Sequence, residues 1–206
     1  MSSRRIILAS GSPRRRELLA ALIDDFDVIP ADVDEELTHD AHGDALRLSE
    51  SKAAAIAGRF PAATVIGSDT IVHIGEQLYG KPRDVADAVR MLEELRGKAH
   101  CVVTGVAVAS VSGTEVEASA TDVMLCAMTD QQVREYVRSG RPMDKAGGYA
   151  IQDADVPTVE RIDGCYCAVM GLPLWRLKRM LERLRVECRD PDGTLAQCVT
   201  CPERHL

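Results

Sequence analysis

The run ATVIGSDTIVHI, residues 63–74, decides how the chain is read. Its two ends are β-branched and apolar, the composition of a buried strand, but the polar group Gly67-Ser68-Asp69-Thr70 interrupts the middle. Either the strand stops at Gly67 and Ser68-Asp69 turn, or it runs through and carries Asp69 into the interior. Ile71, Val72 and Ile74 beyond the interruption favour the continuous strand. A carboxylate buried there costs several kcal/mol unless it is paired or binds a metal. Asp69 is therefore the first candidate for chemistry.

Working outward, Ile6-Ile7-Leu8-Ala9 reads as a short buried strand. Ser12 then caps a helix that Pro13 opens, with Leu18, Leu19 and Leu22 as its apolar face. A strand is expected over 27–33, running into the acidic group Asp32, Asp34, Glu35 and Glu36, and a helix over 43–59. On the other side, Lys81-Pro82 precedes a helix over 83–95 closed by Gly97. Two β-rich runs, 101–111 and 116–127, are joined by Ser112-Gly113-Thr114, and Thr129 caps a short helix through Val137. Residues 144–152 read as a loop entering a strand, 161–170 as a strand, and Pro173 starts a last helix ending near Val186. This order predicts an α/β fold with a mixed, curved sheet and flanking helices over 1–186. Residues 187–206, with Pro191, Gly193 and Pro202, read as an irregular extension.

Of the 206 residues 46% are hydrophobic but only 3% aromatic, so aliphatic side chains must fill the core. No apolar run approaches the ~20 residues of a membrane span, and the N-terminus lacks a signal-peptide core, so a cytoplasmic location is expected. A net charge of −7 argues against a nucleic-acid partner. Against that balance, the consecutive Arg14, Arg15 and Arg16 suggest a local anion site. Cys101, Cys126, Cys165 and Cys167 lie in or beside apolar runs and read as buried thiols of a reducing compartment.

Ser10-Gly11-Ser12-Pro13-Arg14-Arg15 stands where a strand meets a helix. The free N–H groups and partial positive charge of such a helix start bind phosphate, and two guanidinium groups add bidentate donors. The same segment also fits a normally capped helix with solvated arginines. Lys52, Lys81 and Lys145 gain meaning only as a set that neutralises a polyphosphate. Glu35 is a candidate second carboxylate beside Asp69, since Mg²⁺ is commonly held by one or two carboxylates together with substrate phosphates. No P-loop, His pair or G-x-S-x-G elbow is present. The residues alone reach a phosphate-binding α/β enzyme.

LASGSPRRRELL near the N-terminus, GSDTIV in the middle strand, GKPRD around Lys81, and DKAGGYAIQ followed by Gly171-Leu172-Pro173 together resemble the Maf family, in the same order. The resemblance runs from about Ile6 to Leu184. It implies a fold similar to the inosine triphosphate pyrophosphatases, with a long mixed sheet and two lobes around a cleft. It also implies hydrolysis of the α–β phosphoanhydride of a nucleoside triphosphate with a divalent cation, Mg²⁺ or Mn²⁺. In this reading Ser12, Arg14 and Arg15 hold phosphates, with Lys52 and Lys81. Glu35 and Asp69 stand at the metal and the attacking water, Asp69 as proton acceptor. Arg14, Thr70 and Gln152 match positions tied to substrate choice, and dTTP and UTP are the expected substrates. The departures are Ile23-Asp24 in place of a Leu-Gly turn, Asp153 in place of Gly, Cys165 in place of Ser, and the extension after Val186, for which the family pattern offers no counterpart.

Two rivals stand beside that reading: a housekeeping pyrophosphatase for modified or purine nucleotides, and a septum-regulating protein that binds nucleotide. A purely regulatory role does not require Asp69, Lys52 and Lys81 together. A homodimer is compatible with the sequence. In the extension, Cys188, Cys198, Cys201 and His205 offer a structural zinc set, Cys198-x-x-Cys201 having the knuckle spacing. The alternative is a tail whose thiols are free or casually oxidised. A zinc there is structural and remote from the reaction, so truncation after Val186 is expected to leave activity largely intact.

Overall fold

The computed structural model describes residues 5–206 except 154. Residues 1–4, the start of the expected domain, lie outside the described residues. In chain order the elements are β1 (Ile6–Leu8), α1 (Pro13–Ala20), β2 (Asp27–Val28), α2 (Ala41–Ala57), β3 (Thr64–Ile74), β4 (Gln77–Tyr79) and α3 (Val85–Leu95). Then come β5 (Ala99–Ser110), β6 (Gly113–Leu125), α4 (Asp130–Arg138), β7 (Val159–Asp163), α5 (Tyr166–Met170) and α6 (Leu174–Arg183). The seven strands form one mixed sheet in the order β2-β1-β3-β5-β6-β7, with β4 also on β3. β1 is parallel to β2 and β3, and every other pairing is antiparallel.

β3 is continuous through Asp69, as the apolar residues beyond it required. Its register sets the site. Along one edge it pairs with β5 from Val65 to His73. Along the other it pairs with β1 only at Thr64–Ile66 and with β4 only at Val72–Ile74, so residues 67–71 have no strand beside them there. The period-two alternation of a strand then sorts the side chains. Val65, Asp69 and Ile71 face α2, whereas Ile66, Ser68, Thr70 and Val72 face α1, α5 and α3.

Two glycines let α2 lie close on the sheet. A Cβ at Gly67 would stand 2.2 Å from the Ser49 carbonyl oxygen, and one at Gly105 would stand 2.0 Å from that of Ala45. Backbone meets backbone at both points, so no larger residue fits without moving the helix. Asp40 caps α2 by accepting from the Gly43 N–H at 3.0 Å.

Two large apolar clusters occupy the other face. One joins β1, α1, α5 and α6 through Leu8, Leu19, Leu172 and Leu177; the second joins α3 and α4 to the far half of the sheet through Leu92, Leu95, Val133 and Tyr136. Among the described residues no helix is long and apolar enough to cross a membrane.

Three sequence expectations change. The strand expected over 27–33 shortens to two residues, and residues 29–38 run on as a connection. The stretch 161–170 splits: β7 ends at Asp163, Gly164 turns with φ 135°, and α5 follows. Residues 144–152 form 3-10 turns instead of leading straight into a strand, because Gly147 and Gly148 both take positive φ. The extension folds back through three short turns onto the first cluster, where Cys198 and Cys201 are core members.

Candidate active site

A cleft of about 680 Å³ opens between the two clusters at the unpaired stretch of β3. Ser12, Arg14, Arg15, Glu35, Lys52, Asp69, Thr70, Lys81 and Gln152 all line it, so every residue picked out for the reaction meets in one place.

On the α2 side, Lys52 Nζ lies 2.5 Å from Asp69 Oδ1 and 2.6 Å from Glu35 Oε1. Lys52 and Asp69 are 7% and 8% exposed, so their charges are held by one another in little water. Glu35, on the connection after β2, stays half-exposed. Removal from water raises its pKa, but the hydrogen bond and charge of Lys52 outweigh this with help from Lys81 and Arg15, and its carboxyl sits below the ordinary value. Lys81 stands exposed on the rim, on a loop tied down by the Gly147 N–H donating to the Gly80 carbonyl at 3.1 Å.

The opposite wall belongs to α1. Ser12 accepts from the Arg15 N–H at 3.5 Å as the helix cap. The Arg15 side chain donates to the Gly171 carbonyl at 2.8 Å, Thr70 Oγ1 at 3.1 Å and Ser10 Oγ at 3.3 Å. Desolvation lowers its pKa and the charge of Arg14 lowers it further, while Asp69 and Glu35 pull it back. Gly171 ends α5 with φ 113°, and its carbonyl also accepts from Ser68 Oγ at 2.9 Å. Thr104 Oγ1 donates to Thr70 Oγ1 at 3.0 Å, or to the Ala168 carbonyl at 2.7 Å, which fixes the threonine that Arg15 reads.

Asp144 was legible as part of a motif but not as a site residue. It takes Arg14 Nη1 at 2.6 Å and Lys145 Nζ at 2.6 Å, and so keeps two cations on the rim in place. Thr104 gave no sequence signal and Gly171 was legible only as part of a motif, because their roles depend on the register of β5 and the close of α5. Asp153 accepts from the Tyr136 hydroxyl at 2.6 Å, so the carboxylate next to Gln152 is engaged with the second cluster.

Asp69 and Glu35 supply two carboxylates within reach of one ammonium. That donor set suits a hard cation completed by phosphate oxygens and water, and does not form an all-protein cage. Among the described residues no group of three or more His, Cys, Asp or Glu donors is placed to hold a metal ion. The zinc set expected in the extension accordingly does not form. Cys188 is half-buried with its thiol donating to the Val186 carbonyl at 3.7 Å, and His205 is exposed. Cys198 and Cys201 turn inward to the α5 thiols, because burial in the first cluster suits a thiol better than a polar surface.

The fold and cleft define an α/β domain whose open central strand presents a carboxylate–ammonium cluster opposite a guanidinium held at a helix start. The Maf-like protein family model matches residues 5–184, and the chain belongs to this family. It is 46% identical over 188 residues to a dTTP/UTP pyrophosphatase of Geobacter sulfurreducens, covering 89% of this chain and 98% of the relative. It is 41% identical over 202 residues to a dTTP/UTP pyrophosphatase of Thermomicrobium roseum, covering 96% of this chain and 93% of the relative. The second alignment therefore extends into the segment after Val186. Among solved structures, the Staphylococcus aureus Ham1 protein aligns with 60% of this chain and 73% of its own, at TM-score 0.44 and 18% identity.

Proposed function

We propose that the chain hydrolyses dTTP and UTP in the cytoplasm to the monophosphate and pyrophosphate, assisted by a divalent cation. The observation that carries this is Lys52 shared between Asp69 and Glu35, facing Arg15 across the cleft. The names of the relatives point to the same substrates.

Water attacks the α-phosphorus, the bond to the bridging oxygen breaks, and pyrophosphate leaves with that oxygen. Asp69 accepts the proton of the water. Arg14, Arg15 and Lys81 stabilise the charge that gathers on the leaving pyrophosphate. Asp69 and Glu35 would hold the cation, which supplies Lewis-acid polarisation of the phosphate when bound. Lys52 bridges both carboxylates until substrate charge enters the cleft.

Gln152 carries the choice of base. Its amide offers one donor and one acceptor, matching O4 and N3–H of uracil or thymine, whereas a carboxylate there would suit the adjacent donors of guanine. The Asp153 carboxylate does not compete, being held by Tyr136. The test is a nucleotide panel with Mg²⁺ or Mn²⁺, resolving pyrophosphate from orthophosphate. Pyrophosphate from dTTP and UTP in preference to dCTP, CTP and the purine triphosphates is expected. Orthophosphate as first product, or equal turnover of GTP, overturns the reading.

A further inference from the structure

Away from the cleft, four cysteines meet where the tail packs on α5. Cys165 is the N-cap of α5 and Cys167 lies in its first turn, while Cys198 ends the 3-10 turn Ala196–Cys198 and Cys201 follows three residues later. Their exposures are 2%, 1%, 2% and 6%, so all are interior. Cys167 Sγ is 3.4 Å from Cys198 Sγ, and Cys201 is the electrostatic neighbour of Cys165 in the same cluster. The backbones are pinned: the Cys165 N–H donates to Thr121 Oγ1 at 2.9 Å, and Trp175 Nε1 donates to the Cys198 carbonyl at 3.0 Å. None of the four thiols lines the cleft.

We infer that the four thiols are a site of reversible oxidation, closing as the disulfides Cys167–Cys198 and Cys165–Cys201 and stapling the tail to α5. The Cys167 and Cys198 sulfurs need approach only from 3.4 Å to the about 2.0 Å of a disulfide. The sulfur–sulfur hydrogen bond, together with burial, holds the Cys165 and Cys167 thiols above their ordinary range, and the same bond brings Cys198 and Cys201 below it. Once deprotonated, either sulfur of a pair is the nucleophile, and the chemistry is the same from both sides.

With hydrogen peroxide as oxidant, the Cys201 thiolate attacks one peroxide oxygen. The O–O bond breaks, and hydroxide leaves a sulfenic acid on the tail. The Cys165 sulfur then attacks that sulfenic sulfur, the S–O bond breaks, and the proton lost from Cys165 and one from solvent convert both hydroxides to water. Each disulfide consumes one peroxide and yields two waters, the thiol pair losing two electrons. Cys198 and Cys167 follow the same course, and a dithiol reductant reverses both.

The links close loops between residues 31 and 36 apart in sequence (198 − 167 and 201 − 165). Cross-links of this length restrict the unfolded chain substantially. Because α5 ends at the Gly171 carbonyl that holds Arg15, the staple also braces the phosphate-binding wall.

The test uses the full chain, reduced or treated with hydrogen peroxide, then alkylated under denaturing conditions and weighed intact. The reduced protein should take seven alkyl groups, one per cysteine, and the oxidised protein three. Heat-inactivation half-time should lengthen about tenfold on oxidation and return with dithiothreitol. The variant Cys167→Ala/Cys198→Ala should retain one peroxide-induced link, and Cys167→Ala/Cys201→Ala none. Seven alkylations after peroxide, or links to Cys101, Cys126 or Cys188, overturn the inference. So does one equivalent of zinc in the purified protein, released only when these four thiols are capped. The thiol count needs no substrate, so its outcome is separate from that of the hydrolysis assay.

Discussion

At its C-terminal end the five-residue helix α5 gives a carbonyl to Arg15 and Ser68 in a polar cleft; at its N-terminal end it gives two thiols to an apolar core. The cleft end gathers charge that the fold must hold half-dry, through Lys52, Asp69, Glu35 and Arg15. The thiol end gathers neutral groups that cost little to bury. One end is arranged for reaction, and the other contributes stability that the charged end does not.

That contrast breaks most visibly with Asp69→Asn. Loss of the proton acceptor is expected to lower kcat/KM for dTTP by about 10²–10⁴ while leaving the fold intact. Pyrophosphate release and a thermal melt on the same sample check both halves, and full activity in the variant would remove Asp69 from the mechanism. Truncation after Val186 should do the reverse. It uncovers Trp175 and removes the Arg176–Glu203 ion pair and two buried thiols, so stability should fall by about 3–5 kcal/mol. Activity per folded molecule in the cold should remain within about twofold, since no tail residue lines the cleft. The earlier expectation of unchanged activity thus carries over only for protein that is still folded. Denaturant titration beside an active-site assay reads both quantities.

A third measurement tests burial beside the cleft in the α3–α4 cluster. His100 is 4% exposed, with Nε2 2.6 Å from the Tyr149 hydroxyl, and burial pushes its pKa from 6.5 down to about 4. Between those values the unfolded chain binds a proton that the folded protein refuses, so stability falls as pH drops through that window. Relative to His100→Gln, the wild type should lose about 3 kcal/mol from pH 7 to pH 4. Parallel stability curves for the two proteins would show that the ring protonates in place. The smallest effect is Gln152→Glu, which should cut the preference for dTTP over GTP by about tenfold, a change of roughly 1.4 kcal/mol. Unchanged selectivity there would move base recognition to the main chain.

The sequence made the cleft legible because its residues lie in short runs with local meaning: a capped helix bearing arginines, and a strand interrupted by a carboxylate. Lys52 and Lys81, which only the family resemblance joined to those residues, line the same cleft. What the sequence could not show was how these runs meet. Gly67 looked like an interruption, and is instead the point where α2 touches the sheet. Asp144 looked like part of a loop, and its partners Arg14 and Lys145 are known only once two distant segments meet. The tail failed for the same reason. Cys198 and Cys201 have a spacing that local reading joins to Cys188 and His205, whereas their neighbours lie over thirty residues upstream on a helix that read as a strand.

The inward turn of the tail also bears on when the molecule can become stable. Ile6 and Leu8 of the first strand share a core with Cys198 and Cys201, so that cluster cannot be completed until residue 201 has been made. Contacts this distant in sequence form slowly, and the partly built cluster exposes Leu172, Trp175 and their neighbours meanwhile. A nascent chain of this protein is therefore expected to depend on shielding by chaperones longest on the face that residues 187–206 will cover.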